Sequence, residues 1–275
     1  MKKLLLFFLL VYSTISANET ITWGVFHRPP SIDISDISNP SGYSGELLKI
    51  MQANMSKYDF RYQDMKMLRI LKAIKDKEKV CNNFLYKNPQ REEFAYFSLP
   101  LRINLPLRIV MRQELFKKLG SPKSLSIKNI LKQNRLNIII ENGRSYSKID
   151  NILSTHKGTN LLKEVITSKQ LLEMLNLNRV DMVIEYSDVV TNHRKEDIDN
   201  FAFVSIKEMP KYGFSHAVCP KNEWGKMVIN DINNALRNIV YTDKFKTHLN
   251  YLYSHKKDQD EIISIYQSDF LNEYK

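Results

Sequence analysis

Few side chains in this sequence stand where bond-making chemistry would need them. It has six histidines, but no His-Glu-x-x-His pair to hold zinc, no Gly-x-Ser-x-Gly turn to expose a nucleophile and no glycine-rich phosphate loop. His27 and Glu185 could in principle share a proton as an acid/base pair; alone, His27 reads more simply as a hydrogen-bonded structural residue. The two cysteines, Cys81 and Cys219, make a poor metal site, which wants four ligands. An even count favours a disulfide in an oxidising compartment; two buried free thiols are the other reading. Charge recognition is the chemistry on offer. Arg91 follows Asn88-Pro89-Gln90, and Arg144 sits in Gly143-Arg144-Ser145. A guanidinium fork can grip a carboxylate through two parallel hydrogen bonds. A turn opening a helix presents N–H groups that favour an anion.

The N-terminus reads as an export signal. Lys2 and Lys3 precede an apolar run, Leu4 to Val11, and Ile15-Ser16-Ala17 offers a small residue at the cut. The run is too short for a membrane-spanning helix, which needs about 20 residues, and no Cys follows it for lipid attachment. Residues 1–17 are therefore expected to be removed, giving a periplasmic protein that works as a monomer. The 275-residue chain has 41 basic and 30 acidic side chains, a net +11. Such a balance suits nucleic acid, an anionic surface or an anionic ligand. The lysines are scattered, however, and the run Lys75-Asp76-Lys77-Glu78-Lys79 alternates in sign like a solvated helix end. Nucleic-acid binding is not expected.

Hydrophobic periodicity alternates between strand and helix along the chain. It predicts strands over 20–26, 58–64, 80–86, 107–111, 137–140, 180–185, 202–205 and 211–219. Helices are predicted over 45–55, 68–77, 126–133, 168–177, 224–240 and 242–253, with a short one opened by the turn 87–91, one from the turn 141–145 to near Ser154, and one more in the tail beyond His255. Strands separated by helices point to βαβ units and an α/β fold.

Four segments, in this order, resemble the type II periplasmic solute-binding proteins (extracellular solute-binding protein family 3), the group that includes amino-acid-binding proteins of uptake systems. They are Trp23-Gly24-Val25 leading to Arg28-Pro29-Pro30; Gly42-Tyr43-Ser44-Gly45-Glu46-Leu47-Leu48; Asn88-Pro89-Gln90-Arg91-Glu92-Glu93-Phe94 followed by Phe97-Ser98-Leu99-Pro100; and Asn178-Arg179-Val180-Asp181-Met182-Val183-Ile184. The third is the most specific.

The resemblance implies a two-lobed α/β fold, each lobe a mainly parallel sheet flanked by helices. Lobe 1 would hold residues 18–104 and 212–275, and lobe 2 residues 105–211, with crossings near Leu101–Leu107 and Pro210–Phe214. It implies no cofactor and no catalytic residue, but a small-molecule ligand in the cleft and a membrane permease or sensor as partner. Rarer members of the fold are dehydratases. The returning strand would lie beside the third strand and bring Cys219 to Cys81. Arg91 matches the arginine that binds a ligand carboxylate, and Asn83 and Tyr86 match strand-end positions that supply hydrogen bonds. Gly143, Arg144 and Ser145 match the second-lobe turn; Tyr146 is either part of it or core. The amino-acid binders hold the ligand ammonium with an acid where this chain has Tyr186. Glu185 is adjacent, on the face that strand alternation turns away. Arg28, and Arg69 at the start of a helix facing the cleft, add positive charge. The expected ligand is therefore anionic or carboxylate-bearing.

Overall fold

The computed structural model describes residues 18–249 and 256–275, without the side chains of Lys256 and Lys257. The expected export signal, residues 1–17, lies outside the described residues, as does the end of the helix predicted over 242–253.

Eleven strands form among the described residues: β1 Glu19–Val25, β2 Tyr58–Asp64, β3 Val80–Tyr86, β4 Ala95–Asn104, β5 Arg108–Arg112, β6 Ser124–Leu125, β7 Ile138–Glu141, β8 Leu161–Glu164, β9 Met182–Glu185, β10 Phe201–Ile206 and β11 Gly213–Pro220. They make two sheets, ordered β2-β1-β3-β11-β4 and β6-β10-β5-β9-β7-β8. The pairs β1–β2, β1–β3, β7–β8 and β7–β9 are parallel, as βαβ crossovers dictate. The pairs β3–β11, β4–β11, β5–β9 and β5–β10, which involve the strands entering and leaving the sheets at the crossings, are antiparallel, while β10–β6 is parallel, so both sheets are mixed. Residues 105–107 and 207–212 join the two sheets.

Each sheet buries its own core. Trp23, Leu48, Met51, Ile232 and Phe245 centre the first; Ile109, Met111, Ile138, Met182 and Val204 centre the second. Helices cover the faces, and side chains close their first turns. Ser126 accepts from Asn129 N, Asn222 accepts from Gly225 N, and Thr167 with Gln170 forms a reciprocal capping box. The C-terminal helix Lys256–Ser268 and the turn Phe270–Tyr274 return to the first core, where Phe270 packs on Phe214 and Phe245.

The Cys81–Cys219 disulfide is formed and buried, with Cα atoms 4.4 Å apart. The pairing of β11 with β3, Val218 opposite Asn82, brings the two cysteines together. Five elements appear that periodicity did not predict: β4, β6, β8, and the helices Gln113–Lys118 and Ser187–His193. Apart from β4, whose ten residues are interrupted by Pro100, they are seven residues or shorter, too brief for a repeating apolar pattern.

Candidate functional site

A cavity of about 60 Å3 lies between the two sheets' C-terminal ends, and four arginines line it: Arg28, Arg91, Arg102 and Arg144. Ligands in open α/β sheets bind at such crevices.

Arg91 is placed by a short local motif. Asn88 caps the helix Pro89–Glu92, accepting from Arg91 N at 2.9 Å, and Pro89 presets the first turn. The arginine side chain thereby turns inward and is buried, with Nη1 donating to the Tyr86 carbonyl at 3.0 Å. No carboxylate lies within ion-pair distance among the described residues. Burial pushes the guanidinium down to about 10, with Asp150 opposing the fall, so it stays charged at neutral pH. One main-chain acceptor leaves most of its five donors for something else.

Arg102, which the sequence did not single out, comes from the end of β4. It donates to Ser31 Oγ at 2.9 Å, stands 3.9 Å from Asp188 Oδ2 and covers the Tyr43 ring at 5.0 Å. Asn104 and Ser215, bonded at 2.6 Å, complete that wall. Burial raises the Asp188 carboxyl, against the pull of Arg102.

The other two arginines are committed to acids. Arg144 holds Glu185 bidentately, both contacts at 2.7 Å. Arg28 Nη2 donates to Glu141 at 2.8 Å and Ser168 Oγ at 2.9 Å, with Glu185 Oε2 at 3.4 Å. Glu185 is fully buried. Burial alone would raise its carboxyl, but Arg144 and Arg28 overcome that and hold it well below the usual carboxylate range. The same pairing holds Arg144 well above its ordinary value despite the burial that lowers it.

Contacts across the cleft are therefore already made. Arg28, between β1 and β2, binds acids on β7 and β9. Tyr86, ending β3, shares a 2.7 Å hydrogen bond with Tyr186, just after β9. Gly143 adopts φ +82°, and a Cβ there would fall 2.3 Å from Leu68 Cδ2. Leu68 is exposed and can give way, so it is the positive φ that favours glycine there.

Several sequence expectations need correction. Arg69 is on the outer surface, bidentate to Glu78 at 2.8 and 3.0 Å, away from the cavity; its helix turns Met67 inward instead. Asn83 is buried on the opposite face of β3 and donates to Ser44 O at 3.1 Å, fastening the helix Gly42–Gln52. Tyr146 is core, its hydroxyl accepting from Glu141 N at 2.8 Å. Ser145 lines the cavity, but its hydroxyl and the Tyr146 N–H both donate to Asp150, so an internal carboxylate already occupies that turn. Tyr186 lines the cavity, whereas Glu185 does not: it is fully buried and paired with Arg144 and Arg28. His27 is exposed beside Asp33 at 3.4 Å and does not meet Glu185. Among the described residues, no group of three His, Cys, Asp or Glu could hold a metal ion.

No family model matches the sequence, and no curated protein matches it. Solved structures do match. An ancestral arginine-binding protein bound to arginine aligns at TM-score 0.70 and 14% identity, covering 87% of this chain and 100% of that one. GshT, described in glutathione import through the cystine importer TcyBC of Streptococcus mutans, aligns at 0.69 and 18%, covering 88% and 99%. A histidine kinase sensor domain similar to periplasmic binding proteins aligns at 0.68 and 14%, covering 86% and 96%. At full coverage of two-lobed proteins, with two crossings between mixed sheets, the chain has the type II periplasmic-binding-protein fold.

Proposed function

We propose that this protein captures a small anionic solute in the cleft, in the periplasm, and that Arg91 anchors the negative group. One observation carries the reading: a buried, charged guanidinium that borders a cavity and has no carboxylate partner among the described residues. Burying such a charge is costly unless something pairs with it, and a solute carboxylate would do so. Arg102, on the adjoining wall, adds a second cation.

The solute is not an ordinary α-amino acid. Its ammonium would need an acid, and Glu185 is already shared between Arg144 and Arg28. Arg28 thus occupies the cationic position with a group of the protein itself. Lobe 1 (18–104 and 212–275) and lobe 2 (105–211) would separate about the two connections to admit the solute. The loaded protein would then deliver it to a membrane permease. Likeness to a sensor domain keeps a second reading, in which the loaded form instead signals to a membrane receptor. Both use one cleft, and capture of a permease or a receptor from the membrane distinguishes them.

Mass spectrometry of what gentle unfolding releases from the purified protein tests the binding reading. A stoichiometric small anion is the expected result; a stoichiometric cation, or a zwitterion with a free α-amino group, contradicts it.

A further inference from the structure

Arg28 and Met67 line the inner cavity on one side and a larger cavity, about 220 Å3, on the other. The larger one opens between Phe26, Met67 and Leu68 of the first lobe and Val165 and Ile166 of the second. Its walls include apolar side chains that the fold leaves in water: Leu68 is 41% exposed and Val165 56%. A single exposed apolar side chain is ordinary. Two from opposite lobes, bordering the same cavity, form a surface that an apolar guest would cover. The two cavities also share a floor. Phe26 of the outer one meets Phe84 of the inner one edge to face, ring centres 5.4 Å apart. Met67, unbranched and adaptable, stands at the boundary.

We infer that the solute is an amphipathic acid. Its anionic head enters the inner cavity, and an apolar or aromatic body runs past Met67 into the outer cavity, against Phe26, Leu68 and Val165. The inner cavity, about 60 Å3, matches about two waters at their share of the liquid volume, enough for a carboxylate and little more. The inference rests on the anion reading and adds the chemistry of the rest of the solute.

Titrating the whole protein with acetate, butanoate, hexanoate and 3-phenylpropionate varies the tail on a constant head. Affinity is expected to rise by up to about fourfold for each methylene that becomes buried, with 3-phenylpropionate at least tenfold tighter than acetate. Val165→Ser, an exposed position that the fold tolerates, should weaken hexanoate and 3-phenylpropionate several-fold and leave acetate unchanged. A flat series, or a Val165→Ser protein that keeps the full preference for long tails, overturns the inference. The companion variant Arg91→Met separates the two claims. A flat series that Arg91→Met weakens throughout removes the tail subsite and leaves the anion site standing. Binding that follows tail length yet ignores Arg91→Met leaves the outer cavity standing and removes the head-group assignment. Failure of all four acids to bind overturns both.

Discussion

Arg28 Nη2 of the first lobe donates to the Glu141 carboxylate of the second at 2.8 Å, across the cleft. The same nitrogen reaches Ser168 at 2.9 Å and lies 3.4 Å from Glu185. One side chain therefore ties the lobes together from within. It also neutralises acids that would otherwise face the entering solute.

Replacing Arg28 by Gln should open the ligand-free protein. Charged hydrogen bonds are worth about 1.5–3 kcal/mol each, so losing one shifts the closed-to-open ratio by roughly ten- to a hundredfold. Small-angle scattering without added solute reads this as a larger radius of gyration. A scattering curve identical to that of the unaltered protein would mean that Arg28 is no latch.

Glu185 predicts an acid-dependent stability. Burial works to raise its carboxyl, but the two arginines win and depress it below the ordinary 4.5. A carboxyl depressed in the folded state contributes stability fully above its unfolded value and loses it as pH falls through the folded one. Glu185→Gln leaves Arg144 buried without its partner, at a cost of about 3–5 kcal/mol near neutrality. The gap between the two proteins in urea unfolding should narrow below about pH 4.5. An equal gap at pH 7 and pH 3 would contradict the assignment.

The Cys81–Cys219 bond closes a loop of 138 residues. Chain entropy gives about 4–5 kcal/mol for such a loop. Urea midpoints with and without reductant, or for the Cys81→Ala, Cys219→Ala double variant, should differ by that order. Coincident curves would show that the bond contributes nothing.

Sequence patterns carried the fold further than they carried the site. The apolar run of β3 and the Asn88-Pro89 cap place Arg91 locally, so a few neighbouring residues suffice to locate it. Tyr86 ends one strand that periodicity marks and Tyr186 follows another, and they meet across the cleft. Arg102 was invisible because its partners, Ser31 and Asp188, lie about 70 and 90 positions away and only the fold assembles them. The pairing of Glu185 with Arg28 and Arg144 was equally hidden, since those partners lie 157 and 41 positions away. Arg69 was misplaced by two helical positions: Met67 turns inward while Arg69 points to solvent.

That misplacement gives a control. Arg69→Ala should leave solute affinity unchanged, since the guanidinium is exposed and paired with Glu78. Exposed pairs of this kind contribute little. A clear loss of affinity in a binding titration would return Arg69 to the cleft.

The most direct measurement is a calorimetric titration of the released solute into the unaltered protein and into Arg91→Met, with circular dichroism to check that both fold. Loss of the charged hydrogen bonds from Arg91 should weaken binding by tenfold or more. Equal affinity in two equally folded proteins would show that the buried guanidinium does not hold the solute.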